Sequence, residues 1–195
     1  MSQPVANLLI NGKNPSTIST TATTIKYFPA VPGASIGAVA VAPVAGFIAV
    51  PGSSRANGQS LNLRACGNII EGADSSSPTV TFTLGVLNGT LIQNAKLTDI
   101  KSALAVAAST AGEFSTAGTP FRLLVDFNAD SASGLMQGTY SLQIDGLAAS
   151  TGQLSTQSSV NMDADQPLAF CLGVTFSQDG THTNVANLYQ FDIQQ

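Results

Sequence analysis

Three stretches of period-two alternation set what this chain can fold into. Thr79-Val80-Thr81-Phe82-Thr83-Leu84-Gly85-Val86 puts Val80, Phe82, Leu84 and Val86 on one face and threonines on the other. Phe121-Arg122-Leu123-Leu124-Val125-Asp126-Phe127 repeats the pattern through Phe121, Leu123, Val125 and Phe127. In Leu168-Ala169-Phe170-Cys171-Leu172-Gly173-Val174-Thr175-Phe176 every even position is large and apolar. Successive side chains of a strand point to opposite faces, so this alternation marks strands with one face in a core. Similar runs at residues 25–31, 47–50, 61–70, 136–144 and 185–193 bring the expectation to about eight strands.

The breaks between these runs have turn chemistry. Asn88-Gly89, Asp145-Gly146 and Asp179-Gly180 tolerate positive φ, and residues 131–134 form a small polar connector. Residues 97–108 fit two forms. Ile100, Leu104 and Ala108 stand four apart with Thr98 placed to cap a helix, while the β-branched content suits an edge strand. No repeat at fixed spacing supports a solenoid or propeller. The pattern predicts an all-β fold, a two-sheet antiparallel sandwich, with a jelly roll the leading form and an immunoglobulin-like sandwich the runner-up. The absence of Trp, and of a cysteine pair suited to bridging two sheets, weighs against the immunoglobulin form.

Composition narrows the setting. Charged residues make up 9% of the chain, against an average of about 25%. The apolar share is an ordinary 44%, so the chain lacks the signature of disorder. Its 195 residues suit one domain with a substantial core. A net charge of −4 and scattered Lys13, Lys26, Arg55, Arg64, Lys96, Lys101 and Arg122 argue against nucleic acid as a partner. Residues 1–14 show no basic region followed by a long apolar core, so no secretory signal is expected. Cys66 and Cys171 are then expected as free thiols of a protein made in a reducing cytoplasm.

Two segments stand apart. Residues 27–54 carry no charge until Arg55, but Pro29, Pro32, Pro43 and Pro51 break them up, which speaks against a membrane helix. They fit either the domain's own first strands or part of a subunit interface. Residues 1–24 include a hydroxyl-rich tract, Ser16-Thr17-Ile18-Ser19-Thr20-Thr21, that has little apolar surface to bury. They are expected as an N-terminal arm, flexible or ordered on a partner, ahead of a sandwich domain over residues 25–195.

Motifs for chemistry are incomplete. Gly33-Ala34-Ser35-Ile36-Gly37 has the G-x-S-x-G form of a hydrolase nucleophile elbow, with Asp126 or Asp145 and then His182 downstream. The next residues, Ala38-Val39-Ala40-Val41-Ala42-Pro43, alternate and stop at proline instead of starting the required helix. His182 is the single histidine and falls in a polar loop, which serves zinc poorly. Asp126-Phe127-Asn128-Ala129-Asp130 opens like a calcium loop, yet Ser131 replaces the glycine and Gln137 the closing glutamate. Asn161-Met162-Asp163-Ala164-Asp165 is a second such triplet. Glu71 and Glu113 are the only glutamates and have no aromatic platform about them in the sequence, against a glycosidase pair. Asn88-Gly89-Thr90 matches a glycosylation acceptor, which means little without a secretory signal. No catalytic, cofactor or metal residue is therefore assigned.

The C-terminal block, residues 168–177 followed by a polar loop and Ala186-Asn187-Leu188-Tyr189-Gln190-Phe191-Asp192-Ile193, resembles the ending of small structural proteins of tailed bacteriophages. Residues 61–70, 78–86 and 121–144 are similar to the preceding strands of that family, so the resemblance spans residues 55–195. It implies a capsid decoration (cement) protein of jelly-roll type: a non-enzymatic virion structural protein on the capsid surface, without cofactor. Its implied partners are the major capsid protein and further copies of itself, a homotrimer being favoured, with neither nucleic acid nor membrane. A receptor- or carbohydrate-binding module of a phage head or tail fibre is the alternative. The charge deficit suits the first reading, since hydroxyl and amide faces leave little for salt to screen.

Overall fold

The computed structural model describes residues 4–8, 15–20, 24–28, 48–50, 60–72, 79–88, 100–107, 114–130, 135–153, 168–177 and 183–194. Every regular element among them is a strand. In chain order they are β1 (Pro4–Leu8), β2 (Ser16–Thr20), β3 (Lys26–Tyr27), β4 (Ile48–Val50), β5 (Ser60–Ile70) and β6 (Val80–Asn88). There follow β7 (Lys101–Ala107), β8 (Thr119–Asp130), β9 (Leu135–Ile144), β10 (Ser150–Gln153), β11 (Leu168–Phe176) and β12 (Asn184–Gln194). Among the described residues no helix is long and apolar enough to cross a membrane.

Two antiparallel sheets result. One runs β1-β12-β5-β8-β9-β10 with β2 also on β12; the other runs β3-β11-β6-β7 with β4 also on β11. β1 and β2 lie end to end along one edge of β12, and β3 and β4 share one edge of β11 in the same way. The pairs β2·β12, β3·β11, β5·β8 and β6·β7 nest one inside the next. That is a long ribbon folded at β6–β7 and wrapped so that its strands switch sheets, which is the jelly roll expected. A β9–β10 hairpin, inserted between β8 and β11, widens the first sheet.

The alternating residues do what their period requires. Val80, Phe82, Leu84 and Val86 of β6 are buried, as are Phe121, Leu123, Val125 and Phe127 of β8. The two sheets meet through aromatic rings. Phe82 and Phe121 have centroids 4.5 Å apart, and Phe127 and Phe170 5.4 Å apart. Burying one such side chain stabilises by about 1.5–3 kcal/mol relative to leaving it in water. β11 is buried on both faces, because Ala169 and Cys171 are as enclosed as Phe170 and Leu172.

β12 carries an irregularity that its composition demands. Ala186 and Leu188 point inward, and continuing that phase would drive Gln190 and Asp192 into the core. The register instead shifts between Leu188 and Gln190, so that Phe191 and Ile193 turn into the core while Gln190 is exposed and Asp192 is buried beneath its glutamine neighbours on the opposite face.

One expectation meets a different outcome, and one open alternative is decided. The arm expected over residues 1–24 is strand where it is described, since β1 and β2 both pair with β12 and Ile18 joins the core. Thr suits an edge strand, and Ser16 and Ile18, both buried on one face of β2, fix its register. The segment at residues 97–108 takes the strand form over Lys101–Ala107, with Leu104 opposite Leu84 and Val106 opposite Phe82. Of residues 27–54, Tyr27 and β4 pair with β11, as the domain's own strands would.

Candidate functional site

The first sheet has a broad outward face built from amides and hydroxyls. Along β5, Leu61, Leu63, Ala65 and Ile69 go in, leaving Asn62, Arg64, Cys66 and Asn68 on the other side. Register then lines these up with their neighbours. Thr17 donates its hydroxyl to Asn187 Oδ1 at 2.7 Å, and Asn187 Nδ2 donates to Asn68 Oδ1 at 2.8 Å, a polar ladder across β2, β12 and β5. The next row is Gln190, Cys66, Arg122 and Gln143. Beyond it come Asp192, Arg64, Leu124 and Ser141, then Gln194, Asn62, Asp126 and Thr139. Opposite charges are interspersed, and apart from Leu124 the remaining positions are hydrogen-bonding groups.

Asp192 lies at the centre of local electrostatics on this face. Its Oδ2 accepts from Gln190 Nε2 at 2.8 Å and Gln194 Nε2 at 3.3 Å, while Oδ1 is buried without a hydrogen bond. Cys66 donates its thiol to Gln190 Oε1 at 3.6 Å. Burial pushes the Cys66 thiol up from its ordinary pKa, the Arg122 guanidinium pulls it back, and the Asp192 carboxylate pushes it up again. The thiol is therefore a weak nucleophile. Cys171 is on the far sheet, buried against Gly85, and burial raises it much further. Both cysteines are free, as expected.

One end of the sandwich is tied together by buried polar groups. Glu71 Oε2 accepts from the Phe114 backbone N–H at 2.9 Å, and Gly72 N–H donates to Asn184 Oδ1 at 3.3 Å. The turn at residues 115–118 closes through Gly118 N–H to Ser115 O at 2.9 Å and is pinned by Ser115 N–H to Thr119 Oγ1 at 2.8 Å. A second turn at residues 144–147 is fixed by Asp145 N–H to Pro120 O at 2.9 Å and Leu147 N–H to Ile144 O at 3.0 Å. Between the two turns lie adjoining open depressions of about 660 Å³ and 510 Å³ that share Pro120, Asp145 and Gly146.

The residues singled out in the sequence are not gathered together where they are described. Ser35, Glu113, Asp163, Asp165 and His182 lie outside the described residues. Asp126 and Asn128 are exposed on the straight strand β8, where alternate side chains stand about 6.6 Å apart and parallel, without the wrapping of a calcium loop. Asp130 ends the same strand opposite Leu135. Among the described residues no group of three or more His, Cys, Asp or Glu is placed to hold a metal ion. Glu71 is used structurally. The Asn68–Asn187 ladder and the Glu71 tie escape sequence reasoning, because register and crossover pairing alone make these residues neighbours.

No protein-family model and no curated protein matches the chain. Among solved structures it is similar to a seed lectin isoform of Lotus tetragonolobus, at 10% identity and a TM-score of 0.41, covering 100% of this chain and 92% of that one. The fold rests on the strand pairing given above.

Proposed function

We propose that this protein is a non-enzymatic capsid decoration protein, a cement that binds major capsid protein on the outside of a bacteriophage head and bridges neighbouring subunits as a homo-oligomer, a trimer being favoured. The observation that carries the reading is the outward face of the first sheet. Its strands occupy six positions, since β1 and β2 share one. At about 4.8 Å per position and about 33 Å of strand length, such a face offers on the order of 900 Å². A standard protein interface takes about 800 Å² from each partner. Amides and hydroxyls pair with a partner's backbone and side chains at little desolvation cost compared with ions. The resemblance of residues 55–195 to phage structural proteins supplies the choice of partner.

Co-sedimentation tests this reading. The full chain is mixed with shells assembled from the major capsid protein of the same phage, in low salt and in about 1 M NaCl, where the screening length falls to about 3 Å. Attachment is expected to survive the salt, and Thr139→Glu with Asn128→Glu is expected to abolish it by placing unpaired carboxylates in the contact. A chain that is strictly monomeric in solution and never pellets with shells would defeat the proposal, as would release by moderate salt alone.

A further inference from the structure

We propose a second site, at the edge of the sheet face that meets the shell and sharing Arg122 and Gln143 with it: the depressions between the turns at residues 115–118 and 144–147 bind a neutral glycan. Three features of the rim argue for that ligand class.

The first is balance of charge. Asp145 and Arg122 are the charged residues lining the two depressions, one of each sign. A free anion would meet the carboxylate and a free cation the guanidinium, whereas a neutral polyol uses both. Its hydroxyls donate to Asp145 and accept from Arg122, as charge-assisted hydrogen bonds.

The second is the supply of uncommitted groups. Asp145, Gln143, Arg122 and Thr116 are exposed, and their side chains make no hydrogen bond or ion pair among the described residues. The Ser115 and Thr119 hydroxyls each accept one hydrogen bond inside the turn, from Ala117 N–H at 3.1 Å and from Ser115 N–H at 2.8 Å. The exposed Pro120 and the half-buried Leu147 add apolar surface of the kind the C–H face of a sugar ring covers.

The third is rigidity. Both turns are locked by backbone hydrogen bonds, and Phe114, at the foot of the first, is anchored on the buried carboxylate of Glu71. A site whose frame is already ordered loses little on binding. Volumes of about 660 Å³ and 510 Å³ fall in the range of about 300–1,000 Å³ usual for small-ligand sites. The rim exposes no large aromatic ring, because Phe114 and Phe121 face inward. Affinity for a single sugar is therefore in the millimolar range, about 1 mM or weaker. Many copies on one surface raise avidity by a factor of about 10²–10⁴.

Saturation-transfer NMR on the full chain tests the site, with methyl α-D-mannopyranoside, methyl β-D-galactopyranoside and N-acetylglucosamine as probes, and N-acetylneuraminic acid as an anionic control. At least one neutral sugar is expected to receive saturation, and the anionic one to bind no better than it. Asp145→Asn and Arg122→Gln are each expected to weaken binding about tenfold. Asp145→Asn keeps the backbone bond to Pro120 O, and the exposed Thr116→Val serves as a second variant that leaves the turn intact. Silence with all the neutral sugars overturns the site. So does binding that all three variants leave unchanged, or protection of residues 115–118 and 144–147 from hydrogen exchange by capsid shells but by no sugar. Sugar binding by a chain that never pellets with shells leaves this site standing while removing the shell contact.

Discussion

Glu71 and Phe114 join two crossovers of the jelly roll. Glu71 follows β5 as the chain leaves for the opposite sheet, and Phe114 precedes β8 as it returns. The carboxylate Oε2 accepts the Phe114 N–H at 2.9 Å, with Glu71 only 7% and Phe114 only 4% exposed. Removing the acceptor strands a buried N–H, which costs about 1–3 kcal/mol, more when the lost partner is charged. Glu71→Ala is expected to lose about 2–3 kcal/mol in urea unfolding, and Glu71→Gln, which keeps an amide oxygen for the same N–H, about half of that. Equal losses for the two variants would mean that the hydrogen bond is not what holds the crossovers.

Gly67 shows where the first sheet has no room for a side chain. A Cβ there would lie 1.8 Å from the Asn187 carbonyl oxygen, close to the β12 bulge. That oxygen is backbone, so the strands themselves would have to part. Gly146 poses the opposite case: its φ is +78° in the β9–β10 turn, and a Cβ would meet nothing within 4 Å. Gly67→Ala is expected to abolish folding or cost more than about 3 kcal/mol, while Gly146→Ala pays only the left-handed backbone penalty of about 1–2 kcal/mol. Thermal melts of the two variants side by side decide it, and a Gly67→Ala melt close to wild type would refute the close approach.

How legible each strand is in the sequence depends on where it lies in the fold. Residues 80–86, 121–127 and 168–176 alternate because one face of each meets the other sheet. β2 and β10 lie on edges, where Ile18 with the small buried Ser16, or Gly152 against the Tyr140 ring, seats the strand. Such strands leave almost no apolar pattern. The phase change in β12 is written as Leu188 followed by Phe191, with the polar Gln190 where an apolar residue would continue the alternation. The candidate sites leave no local pattern at all. Arg122 and Gln143 are twenty-one positions apart in sequence and become neighbours only through the β8–β9 register.

The two thiols differ in reach and in charge environment, so their reaction with an aromatic disulfide reagent separates them. Thiolate is the attacking form, and a raised pKa lowers its share at any given pH. Near pH 8 the native protein is expected to react slowly at half-buried Cys66 and not at buried Cys171, both reacting once the chain is unfolded. Arg122→Gln removes the charge that pulls the Cys66 thiol down and is expected to slow its reaction. Asp192→Asn removes a charge that pushes it up and is expected to speed it. Two fast thiols in the native protein, or charge variants acting in the reverse sense, would contradict this placement.

Tyr27 and Cys171 make the fold sensitive to alkali. Tyr27 is buried beside Cys171, and burial, followed by that neighbour's charge, pushes its phenol from 10.0 up to about 12. In the unfolded chain the phenol loses its proton near its ordinary value, so between the two pKa values the folded state holds more protons. Stability then falls as pH rises, because the unfolded form alone ionises freely. Cys171, raised from 9.0 by burial, acts in the same sense from a lower onset. Urea unfolding in steps from about pH 8 to about 12 is expected to show level stability at first, then a decline from about pH 9 that steepens above about pH 10. Cys171→Ala should remove most of the early decline, leaving the share of the less buried Cys66, and Tyr27→Phe should remove the steeper part while keeping the ring in place. A profile that stays level to about pH 11, or a decline that Tyr27→Phe leaves untouched, would show that these two groups are not what alkali attacks.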